Sequence, residues 1–237
     1  MISHPDKCIF VHIPKAAGQS IEAVFVQRMG LTWSQREALL LRPNNQPELG
    51  PPRLAHLLAR EYVDKGYITP GLFEQYFKFT FVRNPWSRLV SEYNYRRSLG
   101  AKNYQKSFRH FVLTHFPTPQ DDDHCQAKDF YRHVVPQSQF LYDEKGKCLV
   151  DFVGKFEHLQ EDFNTVCQQL AINTITLTHK NKTPQKNRLF ALLPLLLQPK
   201  VVKHKHYSEY YDDDTYALVE RFYQEDIDNF HYQFDQA

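Results

Sequence analysis

The chain has 237 residues, of which 42% are hydrophobic and 24% charged, and a formal net charge of +2. A chain of that length buries roughly 70% of its unfolded surface, and the composition is that of an ordinary globular protein, which excludes a disordered or fibrous one. The near-neutral balance leaves no global field for nucleic acid or an anionic membrane, so any anion site has to be local.

The opening MISHPDKCIFVHIPK has no long apolar run and enters a core strand almost at once, an expectation against a signal peptide or membrane anchor. CIFVHI (8–13) reads as a buried strand, and SIEAVFVQRM (20–29), with apolar residues at Ile21, Val24, Phe25 and Met29, as a helix. RPNNQPELGPP (42–52) is turn-rich, RLAHLLAREYV (53–63) is predicted helical, and Thr69 with Pro70 caps a further short helix. YFKFTFV (76–82) is the next strand, feeding a helix opened by Pro85 that carries Arg88, Ser91 and Tyr95. Residues 101–135 read as a helical insertion plus the acidic loop TPQDDDHCQAKD, and LVDFVGKF (149–156) as a strand before the helix EHLQEDFNTVCQQLAI. NTITLTHKNKT (173–183) is taken as a last strand entering a polar loop, and DDTYALVERFYQEDIDNFHY as a C-terminal helix begun by Asp213 or Asp214. LFALLPLLLQP (189–199) is too short and proline-broken to cross a membrane.

Strands alternating with helices predict a single α/β domain over 1–237, with a central parallel sheet flanked by helices and ligands bound at the carboxyl ends of the strands. Two unusual loops, 14–19 and 83–91, fall at such ends. In the first, Lys15 follows Pro14 and precedes the loop's one glycine, the reverse of the common phosphate-binding loop. Lys15 with the amides around Ala16, Ala17, Gly18, Gln19 and Ser20 makes a nest for a phosphate, or else an ordinary strand-to-helix turn with a solvated lysine. In the second, Arg83 ends a strand and Ser91 lies eight residues on; a guanidinium fork and a hydroxyl suit a second phosphate, or Arg83 simply pairs with a carboxylate. Cys8, Cys125, Cys148 and Cys167 lack the paired spacing of a zinc site and are taken as reduced thiols.

Together HIPKAAGQSIE and FVRNPWSRLVSEY resemble the 5′-phosphosulfate and 3′-phosphate motifs of sulfotransferases that use 3′-phosphoadenosine 5′-phosphosulfate. They are most similar to the branch with the carbohydrate and heparan-type 2-O-sulfotransferases and bacterial relatives. VVPQSQFLYD, FVGKFEHLQEDF and the C-terminal HYSEYYDDDTYALVERFYQEDIDNFHY extend the likeness over most of the chain, with 30–50 and 101–130 the least similar parts.

The resemblance implies a nucleotide-kinase-like P-loop fold of three layers. It implies that Lys15 reaches the oxygen bridging phosphate and sulfate, that Ala16 to Ser20 cradle the 5′-phosphate and that Arg83 and Ser91 hold the 3′-phosphate. Asn181, Lys182 and Thr183 match the segment that closes over the nucleotide, and a glycan is the implied hydroxyl acceptor. Charge grows on the bridging oxygen as the sulfuryl group moves, so a fixed cation there favours the transition state; the scheme requires no metal, and no metal-ligand cluster is visible in the sequence. A general base near neutral pH is needed, and His56, between the two motifs where the family often carries its base, is the candidate, with Glu61 as second choice. His12 is read as a prop for Lys15 or a hydrogen-bond partner of the backbone, Asp121, Asp122 and Asp123 as solvated charge, and Lys203, His204, Lys205 and His206 as a locally basic segment that meets nucleotide or an anionic acceptor, or else as a solvated turn. A bacterial-type cytoplasmic enzyme fits, although a Golgi or secretory catalytic domain without its anchor reads the same. The rival readings are a nucleotide kinase or NTPase on the same fold, against which stands the displaced lysine, and a noncatalytic nucleotide-binding protein.

Overall fold

The computed structural model describes residues 1–177 and 205–235. Its centre is a four-stranded sheet: β1 (Ile2–Ser3), β2 (Cys8–Val11), β3 (Phe77–Val82) and β6 (Phe152–Lys155), in that spatial order. β2, β3 and β6 run parallel, with Phe10 opposite Phe79 and Phe81 opposite Gly154, while β1 pairs antiparallel at the edge. A two-stranded hairpin, β4 (Asp122–Asp123) and β5 (Lys128–Asp129), stands apart from this sheet.

Alternation along the strands divides the core in two. Cys8, Phe10, Phe79 and Phe81 turn to one face, where Phe25 of α1 (Gly18–Arg28) and Phe163 of α8 (Leu159–Gln169) cover them. Ile9, Val11 and Val82 turn to the other, against Leu89 and Tyr93 of α4 (Pro85–Ser98), Phe140 of α7 (Ser138–Leu141) and the two C-terminal helices, α9 (Asp213–Phe222) and α10 (Gln224–Phe230). A parallel sheet buried on both faces is the three-layer architecture expected from the alternating pattern. No helix among the described residues is long and apolar enough to cross a membrane.

The segment 53–63 is not one helix. A 3-10 turn at Leu54–His56 and a single turn, α2 (Glu61–Asp64), flank an extended Leu57, because the Ala59 N–H is drawn out to the Phe140 carbonyl at 2.8 Å. Thr69 does cap α3 (Pro70–Gln75), accepting from the Leu72 N–H. The insertion carries α5 (Phe108–Thr114) and α6 (Phe130–Val134), and α6 starts on Asp122, whose carboxylate accepts from the Tyr131 and Arg132 amides. Asp122 is therefore a cap, not solvated charge. Residues 173–177 form no strand, and the rest of that predicted element lies outside the described residues. The C-terminal helix breaks at Tyr223, whose hydroxyl is held by the Val134 carbonyl.

Candidate active site

The loop after β2 owes its shape to two left-handed residues, Lys15 (φ 70°) and Ala17 (φ 66°), neither of them glycine. Such a conformation costs about 1–2 kcal/mol per residue, so the surroundings have to hold it. Arg88 is the chief restraint. It is buried on α4 and donates to the carbonyls of Pro14 (3.0 Å), Val135 (2.9 Å) and His133 (2.9 Å). Gly18 is fixed by packing instead, since a Cβ there would stand 2.0 Å from His12 Nε2. Among the described residues no backbone acceptor meets the amides of Ala17, Gly18 and Gln19, which leaves them free as the donors an anion nest uses. The amides sit at the N-terminus of α1, whose dipole adds to the pull on an anion.

Arg83 leaves the end of β3 beside this loop. Its guanidinium lies over the Phe156 ring (4.2 Å), donates to Ser87 Oγ at 2.8 and 3.1 Å, and reaches the Lys15 carbonyl at 3.3 Å. Ser87 is thus the hydroxyl that Arg83 touches. Ser91 lies one turn further along the same face of α4, and Tyr95 a turn beyond it, under the ammonium of Lys15 (4.0 Å to the ring centre). The Arg83 backbone is clamped by Gln137, which accepts from its N–H and donates to its carbonyl, while Glu157 accepts from the Asn84 N–H. Gln137 and Glu157 belong to the VVPQSQFLYD and FVGKFEHLQEDF stretches, so those segments brace the Arg83 loop.

Burial pulls Lys15 down to about 8, with Arg83 adding to the effect and Glu92 opposing it. Burial likewise brings Arg83 to about 10 against the attraction of Glu157. Both groups remain cations at neutral pH, poorly hydrated and without a full complement of acceptors.

His56 lies below the loop in a row of buried histidines, 4.9 Å from the His12 ring and 4.8 Å from the His133 ring, each edge to face. Burial, followed by the charges of His133 and His12, keeps His56 neutral well below its ordinary range. His12 does prop the loop, through Gly18, but its Nδ1 meets Glu22 Oε1 (2.5 Å) and not the backbone. Glu61 is unavailable as a base, because both its oxygens are taken by Arg132 and one also caps the Leu58 N–H. His133, Glu92, Asp129 and Arg96 complete the buried polar cluster. Burial alone would strip His133 of its proton, but Glu92 and Asp129 raise it; the same histidine and Arg96 hold Glu92 at about 2 and Asp129 well below the carboxylate range.

Among the described residues, His56, Asp129 and His133 are the one group of metal-ligating side chains close enough to share an ion, one atom of each lying within 4.8 Å of the others. Glu92 and Asp129 raise the proton affinity of His133, and an ion here would have to compete with that proton for the ring's lone pair. Asn181, Lys182, Thr183, Lys203 and His204 lie outside the described residues; Lys205 is exposed and His206 caps a short turn through Ser208.

The sulfotransferase family model matches residues 1–233. An uncharacterized protein of Archaeoglobus fulgidus is 33% identical over 101 residues, covering 43% of this chain and 72% of that one. Human carbohydrate sulfotransferase 14 is 32% identical over 111 residues, 40% of this chain and 29% of its own length. Carbohydrate sulfotransferase 12 of Xenopus laevis is 25% identical over 159 residues, 55% of this chain and 38% of its own length. No solved structure matches. With the match running across nearly every residue, including both cation-bearing loops and the segments that brace them, the chain belongs to the sulfotransferase family.

Proposed function

We propose that the protein transfers a sulfuryl group from 3′-phosphoadenosine 5′-phosphosulfate to a hydroxyl of a carbohydrate. The observation that carries this is the contact between the two loops, Arg83 Nη1 on the Lys15 carbonyl at 3.3 Å, which brings the two cation-bearing loops together at one sheet edge. A donor with phosphates at both ends of one ribose needs that pairing; a single triphosphate tail does not. The amides of Ala17 to Gln19, with Ala16 and Ser20 beside them, cradle the 5′-phosphate, and Arg83 with Ser87 and Ser91 on α4 holds the 3′-phosphate.

In the transfer the acceptor oxygen forms a bond to sulfur while the bond from sulfur to the bridging oxygen breaks, and the bisphosphate carries away the electron pair. Lys15 stabilises the charge that grows on that bridging oxygen, an effect on the order of 100- to 1,000-fold in rate. His56, neutral and deeply placed, takes the proton of the acceptor hydroxyl. The carbohydrate acceptor is argued from the names of the relatives 14 and 12, and the aromatic faces near the loop, Tyr95 and Phe156, suit a sugar or a base equally.

The first test is a thermal melt with adenosine 3′,5′-bisphosphate, against ADP and against ATP with magnesium. At 100 times its dissociation constant the bisphosphate adds about 2.7 kcal/mol of stability. Stabilisation by the bisphosphate alone supports the two-phosphate site, and transfer of labelled sulfate to a glycan panel follows. Stabilisation by ATP with magnesium and none by the bisphosphate refutes it in favour of a kinase.

A further inference from the structure

The outer two of the three buried histidines each have a carboxylate on Nδ1: Glu22 for His12 at 2.5 Å, Glu92 for His133 at 3.1 Å. The middle one has none. His56 is 5% exposed, and its Nδ1 is enclosed with no hydrogen-bond partner among the described residues. One carboxylate oxygen nearby has room for a second partner. Asp129 Oδ1 accepts from Arg96 at 2.9 Å, while Oδ2 faces His133 Nε2 at 3.4 Å and has no closer donor among the described residues. A ring nitrogen of His56 and a carboxylate oxygen of Asp129 stand within 4.8 Å of each other.

We propose that Asp129 is the positioning residue of His56: its Oδ2 accepts the Nδ1–H of the His56 ring, so that Nε2 holds the lone pair that meets the acceptor hydroxyl. This rests on the reading of His56 as the base. The structure leaves a ring nitrogen of His56 within 4.8 Å of an Asp129 carboxylate oxygen, and the hydrogen bond forms as the substrates arrive, when catalytic hydrogen bonds commonly tighten. Asp129 is suited to the task because it is itself immobile, buried at the end of β5 and pinned by Arg96. A carboxylate oxygen has two lone pairs, so Oδ2 can serve His133 and His56 together. Once the acceptor proton is on Nε2 the His56 ring is a cation, and the carboxylate both keeps its orientation and offsets its charge. The charged groups around His56 are His12 with Glu22 from the first loop and α1, Arg53 from the preceding turn, Glu92 and Arg96 from α4, and His133 from α6. His133, His12 and Arg53 all oppose a proton on His56, whereas Asp129 favours one.

Asp129→Asn keeps the size of the side chain and leaves an oxygen for Arg96. The expected result is a kcat lower by about 100-fold, with the donor KM and the bisphosphate melt shift unchanged within about threefold. The acid limb of kcat against pH moves to lower pH, because the carboxylate that favours protonated His56 is gone. Wild-type kcat in D129N, or a fall in kcat with donor binding lost in parallel and the limb unmoved, overturns the proposal. Nitrogen-15 spectra of the unmutated protein with bisphosphate bound give a second reading, with His56 assigned by the signal missing in H56N. The Nδ1–H tautomer is expected, and the Nε2–H tautomer overturns it. Full turnover by H56N removes the base reading and this one with it; an inactive H56N beside a wild-type-like D129N removes the positioning role alone. Activity lost on chelation and restored by zinc makes the cluster a metal site and likewise overturns it.

Discussion

Lys15 is a residue whose placement works against the fold. Its φ is 70°, its ammonium rests on the Tyr95 ring, and burial holds its pKa at about 8 against an ordinary 10.5. Between those values the unfolded chain binds the proton and the folded chain does not, so stability rises with pH across pH 8 to 10.5 and the lysine weakens the fold below that window. The difference corresponds to about 3 kcal/mol, less what solvent at this half-buried site screens. Lys15→Met is therefore expected to gain about 1–3 kcal/mol at pH 7 in urea unfolding, a gain that fades by pH 10.5, while transfer is lost. An unchanged or lower stability at pH 7 contradicts that account. An anion in the loop restores the lysine's proton, so bisphosphate binding to the wild type weakens as pH rises through 8. The position of Lys15 was legible, because proline, lysine and small residues between a strand and a helix make a local pattern. Glu92, Asp129 and His133 were not, since their roles depend on side chains that meet across α4, β5 and α6 and leave no spacing to read.

Among the elements, α4 serves site and interior at once. Ser87, Ser91 and Tyr95 recur every four residues toward the loop, and Arg88, Glu92 and Arg96, one residue on, recur toward the core. Arg88→Lys tests the second row. An ammonium cannot span three carbonyls set around a planar fork, so at least one or two of Pro14, Val135 and His133 lose a buried partner. Unpaired buried carbonyls cost about 1–3 kcal/mol each, and an unfolding free energy lowered by about 2–4 kcal/mol in urea titrations is expected, with bisphosphate affinity reduced because Pro14 enters the Lys15 loop. A loss below 1 kcal/mol shows that the loop holds itself. The proline-opened start of α4 and the strands flanking it were plain in the sequence, because capping and β-branched or aromatic runs are local. The segment 53–63 was misread for the opposite reason: its apolar spacing is helical, yet one long-range hydrogen bond, Ala59 to Phe140, breaks the helix after His56 and thereby sets that histidine between His12 and His133.

At the scale of the whole molecule, two layers of helix bury the cluster beneath the loops, so its protons contribute to the pH dependence of stability. His56 is neutral when folded and has an ordinary pKa of 6.5 when unfolded, so the unfolded chain binds the extra proton as pH falls below 6.5 and stability drops. Glu92 acts later: held at about 2 when folded against an ordinary 4.5, it contributes stability above 4.5 that is lost as pH falls toward 2. His133, raised by its carboxylates, contributes stability fully present below 6.5 and lost only as pH rises through its folded value, so it does not mask the first window. Acid unfolding is accordingly expected in two stages, a decline of up to about 1.4 kcal/mol per pH unit beginning near 6.5 and a second below 4.5. His56→Asn flattens the first stage, leaving the decline that the buried Met1 amine, lowered to about 5, adds as pH falls below 8, and spares the second, as read by urea midpoints at half-unit steps from pH 7.5 to 3.5. If H56N and the wild type decline in parallel from pH 6.5, His56 is already solvated and charged in the folded protein, and it cannot be the dry neutral base on which the transfer chemistry depends.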